Sequence, residues 1–193
     1  MSERKRVKSW KEKKWYQVFA PAMFGGAKVG ETPSTDPEKL VGRVFETTLG
    51  DLIDDFSKSH IKLYFQVSSV DGDRAITKFI SHEMARDYVR SQIRRRAKKA
   101  EDVTSVTTKD GYLMRITSMA TGPRRAQGTK IRMIRGAIKK VVEERGKERT
   151  LDQFVQEIVL GKLASDIYKE AKKYFPIRRV EVYKSKVVSG PSQ

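Results

Sequence analysis

Alternation of apolar and polar side chains is the clearest pattern between residues 41 and 119. From His60 to Val70, Ile61, Leu63, Phe65 and Val67 alternate with Lys62, Tyr64, Gln66 and Ser68, the period of two that turns one face of a strand inward. Asp71-Gly72-Asp73 follows, and a second run from Ala75 to Ile80 completes a hairpin with a strong turn signal. Val103 to Thr108 and Tyr112 to Met119 predict another hairpin around Lys109-Asp110-Gly111. Val41 to Leu49, rich in β-branched and aromatic residues, reads as a strand ahead of both. About five or six sequential antiparallel strands suit a small barrel or sandwich.

The period lengthens to that of a helix in three places. Ser81 is a suitable N-cap for a helix from about His82 to Arg96, with Ala85, Tyr88, Val89, Gln92 and Ile93 recurring at helical spacing. A second helix is expected from about Thr129, with Ile131, Ile134, Ile138 and Val141 or Val142 inward and Gly146 just beyond its end. Thr150-Leu151-Asp152-Gln153 has a capping-box pattern, opening a helix that runs through Phe154, Val155 and Ile158, past Gly161 to Leu163, Ile167 and Ala171, until Pro176 stops it. Ile177 to Lys184 alternates as a last strand. Gly and Pro punctuation between residues 20 and 37 marks a long irregular stretch. The expected fold is therefore α+β: a small antiparallel β-barrel core flanked by α-helices, with a basic N-terminal arm over residues 1–19 and a single domain over residues 20–193.

Charge changes this picture from fold to partner. The chain of 193 residues has 41 Lys and Arg against 24 Asp and Glu, a net charge of +17. Such an excess favours a polyanion. It is also blocky. Residues 1–16 hold seven basic side chains against two acidic ones, with Trp10, Trp15 and Tyr16 interleaved; residues 86–99 hold seven against one, and residues 109–140 nine against one. Residues 141–173 balance at seven each. Three separate basic blocks point to a directed polyanion surface more than to general solubility.

Other classes fall away. Cys is absent, which excludes disulfides, thiolate nucleophiles and thiolate zinc sites, and His60 and His82 alone cannot build a multi-histidine site. No window reaches the roughly 18 to 20 apolar residues of a membrane span, and the polar start does not resemble a secretory signal, so a soluble, cytoplasmic protein without membrane partners is expected. Gly25 to Thr32 has the glycine spacing of a phosphate loop, but Glu31 stands where that motif needs Lys. His82-Glu83 is followed by Arg86 in place of the second His of a zincin.

The candidate RNA-binding residues are cations placed for phosphates and an aromatic placed for bases. In the arm they are Arg4, Lys5, Arg6, Lys8, Trp10, Lys11, Lys13 and Lys14, and in the loop beyond it Lys28. In the second block they are Arg86, Arg90 and Arg94, aligned along one flank of the expected helix, with Arg95, Arg96, Lys98 and Lys99. In the third they are Arg124 and Arg125, on a Gly-Pro loop, with Lys130 and Arg132. Trp15 and Tyr16 divide evenly between stacking on bases and anchoring in the core. The arm is expected to order only on assembly. The competing reading is a metal-dependent RNA-processing enzyme using Asp51, Asp54 and Asp55, although carboxylates beside Gly50 are also ordinary turn residues.

Lys14-Trp15-Tyr16, Ala20-Pro21-Ala22-Met23-Phe24, the run from Val29 to Pro33, the run from Pro37 to Arg43, Asp55-Phe56-Ser57-Lys58 and His60-Ile61-Lys62-Leu63 resemble the archaeal and eukaryotic small-subunit ribosomal protein family S3Ae, or S1e. Arg86-Asp87-Tyr88-Val89-Arg90-Ser91, Arg94-Arg95-Arg96, the run from Thr107 to Tyr112, and Tyr174-Phe175-Pro176-Ile177-Arg178 continue the likeness over nearly the whole chain. The resemblance implies a β-barrel flanked by helices and bound to small-subunit, 16S-type ribosomal RNA on the platform. Neighbouring platform proteins would be its partners, with messenger RNA near the exit site as a further one. It implies neither catalysis nor a cofactor, and the short tail after Lys184 implies an archaeal-type member.

Overall fold

The computed structural model describes Trp10 and residues 13–95, 97–123 and 126–191. Its elements are β1 (Lys14–Phe19), β2 (Lys28–Ser34), β3 (Val44–Thr48), α1 (Leu49–Ile53), β4 (Ile61–Asp71), β5 (Arg74–Met84), α2 (Arg86–Ser91), β6 (Lys99–Thr107), β7 (Leu113–Thr121), α3 (Gly128–Glu148), α4 (Leu151–Val159), α5 (Lys162–Ala171) and β8 (Arg179–Ser189). The fold is mixed α+β, with eight strands paired in the order β2-β1-β5-β8-β7-β6 and with β4 joining β3 to β5 off that path. The path stays open at β2 and β6, so these pairings do not close the expected barrel. Nor is it wholly antiparallel, because β1 runs parallel to β5 through Gln17–Arg74, Val18–Ala75 and Phe19–Ile76.

The chain divides into two compact units, one made of residues up to Thr47 with Tyr64–Phe79, the other of Thr48–Leu63 and the chain from Ile80 onward. In the first, β1 turns Tyr16 and Val18 inward, onto a core with Leu40, Val67 and Ala75. Phe24, Phe65 and Phe79 form a second apolar group, with ring centroids 5.4 to 6.4 Å apart. Burying side chains of this size contributes roughly 1.5–3 kcal/mol each. The stretch expected to be irregular is instead largely the β1–β2 hairpin. Gly25 and Gly26 take positive φ at its turn, and Lys28–Ser34 pairs antiparallel with β1. Gly30 and Pro33 hide this strand from a propensity reading, yet β2 lies at an edge, where a residue without an N–H is tolerated.

In the second unit, the end of β5 pairs with β8, β8 with β7, and β7 with β6, all antiparallel. Helix α3 packs on β6 and α5, and α5 on β8. The expected helix from His82 to Arg96 is overturned. Ser81, His82 and Glu83 are strand residues opposite Lys186, Ser185 and Lys184, with His82 fully buried, and α2 keeps only six residues. The apparent helical spacing came from joining strand residues to the short helix that follows. Gly146 lies inside α3 and not beyond it. Gly161, at φ 80°, splits the last helical stretch into α4 and α5. Thr150 does precede α4 but gives no side-chain cap; the Leu151 N–H donates to the Asp110 carboxylate at 3.0 Å.

Gly146 marks a close approach. A Cβ there would sit 2.4 Å from Val106 Cγ2 and 2.9 Å from Cγ1, and the branched valine has little room to turn away. Gly146→Ala is expected to cost about 1–3 kcal/mol by overpacking, against a helix-propensity gain of up to ~1 kcal/mol. Urea unfolding checks this, with the cost expected to shrink in a Val106→Ala background.

His82 gives the fold an acid limb. Its Nδ1 shares a 3.0 Å hydrogen bond with Ser185 Oγ, its Nε2 finds no partner among the described residues, and burial lowers its pKa to about 4. The unfolded ring binds a proton near pH 6.5, so this contribution is complete above that pH and is lost as pH falls toward 4, by up to about 3 kcal/mol. Unfolding measured against pH is expected to show that decline, and His82→Gln to remove most of it.

Candidate nucleic-acid interface

Strand alternation builds the first candidate surface. With Tyr16 and Val18 in the core of the first unit, Trp15, Gln17 and Phe19 point the other way, and the parallel register adds Arg74, Ile76 and Lys78 to the same face. Trp15 is 58% exposed and Ile76 48%, while the Arg74 guanidinium lies 5.5 Å from the centre of the Phe19 ring. Tyr16 anchors in the core and Trp15 does not, which divides the pair that the sequence left open. Phe19, Arg74, Ile76 and Lys78 were missed because this face exists only once β1 is seen as a strand. Among the predicted residues here, Lys14 is exposed and Lys13 lies 4.1 Å over the Trp10 ring. Lys28 pairs with Glu31 at 2.5 Å, so its charge is already met.

The second basic block lies in the other unit. Arg86 and Arg90 are exposed on α2, whereas Arg94 and Arg95 follow it in irregular chain, so the predicted three-arginine helix flank does not form. Tyr88 fixes α2 in place. It stacks on His60 with centroids 3.7 Å apart, and Arg179 of β8 donates to its hydroxyl at 2.5 Å. Burial raises the Tyr88 phenol pKa, so the hydroxyl stays protonated while its oxygen accepts this bond. Lys98 is exposed, and Lys99 is held by Glu101 at 2.5 Å.

Helix α3 displays Lys130 and Arg132 together with Arg135, Lys139 and Lys140, all exposed, and no acidic residue before Glu143. On the sheet, Arg115 of β7 stands directly opposite Lys186 of β8, a like-charge pair without an ion-pair partner among the described residues. Beside them, Lys184 has Glu83 at 3.1 Å. Arg4, Lys5, Arg6, Lys8, Lys11, Arg96, Arg124 and Arg125 lie outside the described residues.

Two of the three carboxylates offered for metal-dependent catalysis, Asp51 and Asp55, are engaged by local structure. Thr48 and Asp51 form a reciprocal capping box at α1. Asp55 accepts from the Ser57 hydroxyl at 2.6 Å and the Ser57 N–H at 3.0 Å, bonds that lower its pKa. Asp54 occupies the left-handed C-cap at φ 56°. No group of three metal-ligating side chains forms among the described residues, and none of their helices is long and apolar enough to cross a membrane.

A sequence profile of the Ribosomal S3Ae family matches residues 1–191. The small ribosomal subunit protein eS1 of Desulfurococcus amylolyticus is 48% identical over 183 residues, covering 95% of this chain and 86% of that protein. The eS1 protein of Methanothrix thermoacetophila is likewise 48% identical, over 95% of this chain and 87% of its own length. That of Sulfurisphaera tokodaii is 44% identical across the full length of both.

The Arg115–Lys186 pair is testable without any ligand. Directly opposed like charges cost roughly 0.2–1 kcal/mol. Lys186→Gln is expected to raise stability by that order in dilute buffer, and the gain to shrink near ~1 M salt, where the Debye length falls to about 3 Å; urea unfolding at the two ionic strengths reads both.

Proposed function

Because the chain belongs to the ribosomal S3Ae family, we propose that it is a structural component of the small ribosomal subunit that binds ribosomal RNA through these basic surfaces. Members of this family are structural components of the ribosome and not enzymes, which removes the metal-dependent reading of Asp51, Asp54 and Asp55. The family likeness supports a place on the subunit platform near the messenger exit, among other ribosomal proteins and with messenger RNA close by.

One observation about charge carries the RNA reading. In the C-terminal helices most of the cations are answered within the protein: Arg145 meets Asp166 at 2.7 Å, Arg149 and Lys162 meet Glu157 at 3.2 and 3.3 Å, and Lys173 meets Glu170 at 2.6 Å. Arg86, Arg90, Arg94, Arg95 and Lys98, the first turns of α3, and Arg115 with Lys186 have no ion pair among the described residues. A fold that can pair its charges in one region and leaves them open in others supports an external polyanion there. Phosphate contacts of this kind fix position and shape without reading sequence, while Trp15 and Phe19 offer faces on which unpaired bases stack.

Sedimentation of cell extract through sucrose gradients tests the assignment. The protein is expected to travel with small subunits in low and in high salt, and its release at modest salt would count against an integral component. Binding to small-subunit ribosomal RNA should weaken as salt rises, with a log–log slope of roughly −0.9 for each phosphate neutralised, as for duplex DNA. With Trp10→Phe leaving Trp15 as the sole indole, RNA is expected to quench its fluorescence. Trp15→Ala should cost about 1–3 kcal/mol of binding for each base stacked.

A further inference from the structure

Helix α3 combines two features that disfavour the free helix with a third that supports it only weakly. Gly136 lies mid-helix and exposed, and a Cβ added there would meet nothing within 4 Å, so packing inside the chain does not call for glycine. Ten residues on, Gly146 is the contrast, since Val106 leaves it no room. A glycine inside a helix destabilises it relative to alanine.

The charge order is the second feature. Lys130 and Arg132 occupy the first two turns, the end at which the helix dipole repels cations, Arg135, Lys139 and Lys140 follow toward the middle, and Gln127 supplies no side-chain cap. The third is the direction of the ion pairs. Lys139–Glu143 at 3.8 Å and Lys140–Glu144 at 4.0 Å place Lys before Glu, the weaker of the two orders on a helix.

These features coincide in space. Helical spacing sets Arg132, Lys139, Lys140 and Glu143 around Gly136 on the side opposite the buried Ile134, Ile138 and Val141. A shallow depression opens over the glycine, lined by Lys139, Lys140, Glu143, Glu144 and Lys147.

We propose that this face of α3 is a close-approach site for an RNA sugar–phosphate backbone. Gly136 is the point where the two backbones come nearest, and Arg132, Lys139 and Lys140 receive the flanking phosphates. The proposal rests on the ribosomal RNA reading above and adds the place and manner of contact. Charge selects the occupant. The cations Lys130, Arg132, Arg135, Lys139 and Lys140 lie on both sides of Gly136, and Glu143 and Glu144 follow beyond Lys140, so a polyanion crosses the helix at Arg132 and Gly136. At the glycine the missing side chain lets a phosphate ride close to the helix; any side chain there would lift it away from the lysines.

Gly136→Ala and Gly136→Gln separate the helix's own preference from the partner's. Melting of the free protein and filter binding to deproteinised small-subunit ribosomal RNA are measured side by side. Gly136→Ala is expected to raise Tm, by ~2–4 °C if the full propensity difference is realised. Gly136→Gln is expected to keep a wild-type or higher Tm and to bind RNA at least ~10-fold more weakly, a loss of about 1.4 kcal/mol. Arg132→Gln should reduce the salt slope by about one unit. Undiminished RNA binding by Gly136→Gln, beside a wild type that binds, overturns the proposal and leaves the ribosomal reading intact. Normal binding to bare RNA with failure to enter small subunits also overturns it, because a protein would then occupy the face. A lowered Tm in Gly136→Ala would make the glycine structural and overturn it too. Absence of RNA binding by the wild type would overturn the reading beneath the proposal, and the proposal with it.

Discussion

The contact between Gly146 and Val106 sets the layer on which the helical half of the protein depends. With no side chain at that position, the last turns of α3 lie directly on β6, and the buried row Ile134, Ile138, Val141 and Val142 follows from that seating. Helix α5 then packs against α3 and β8, and Arg145 of α3 reaches Asp166 of α5 at 2.7 Å. Once the inward row is fixed, the outward row is fixed as well. The same close packing that stabilises the unit therefore decides which cations of α3 face solvent.

Electrostatics divides the molecule along a different line. Exposed ion pairs contribute at most about 1 kcal/mol each, so the pairing of the C-terminal helices is a small term in stability. Its larger effect is on the field: where carboxylates alternate with lysines and arginines the surface is close to neutral, and where they do not a polyanion is drawn in. In the first unit Lys28 is neutralised by Glu31, while Arg74 and Lys78 remain open beside Trp15 and Ile76. The exposed indole and the open cations lie on one sheet face because the strands alternate, with no specialised loop required.

How legible the sequence was depended on whether local pattern and tertiary context agreed. The β4–β5 and β6–β7 hairpins were readable because alternation and Gly-containing turns coincide at Gly72 and Gly111. Strands β1 and β2 were not: the first follows directly on a basic run, and the second contains Gly30 and Pro33 and is held by pairing that spacing cannot reveal. Residues 81–84 were misread because His82 is buried by β8, about a hundred residues away in sequence. The basic blocks were visible from composition alone. Which of their members are neutralised, as Lys28 and Lys99 are, depends on geometry, and so does the face that joins Trp15 to Arg74 and Lys78. The Asp51 and Asp55 carboxylates looked available in sequence because capping is invisible until the chain turns.

The turn at Lys109-Asp110-Gly111 looks from sequence like any exposed hairpin tip. Yet the Asp110 carboxylate receives the first N–H of α4, the Lys109 N–H donates to the Arg149 carbonyl at 3.0 Å, and Gly111 leaves only 3.2 Å between its would-be Cβ and Pro191. For anyone placing a purification tag, a fluorescent label or a cross-linker on this protein, the most inviting loop is thus a poor choice. The tip at Gly72 touches no helix, and what constrains it is the positive φ that favours glycine there, so foreign chemistry belongs beside that glycine and not on it.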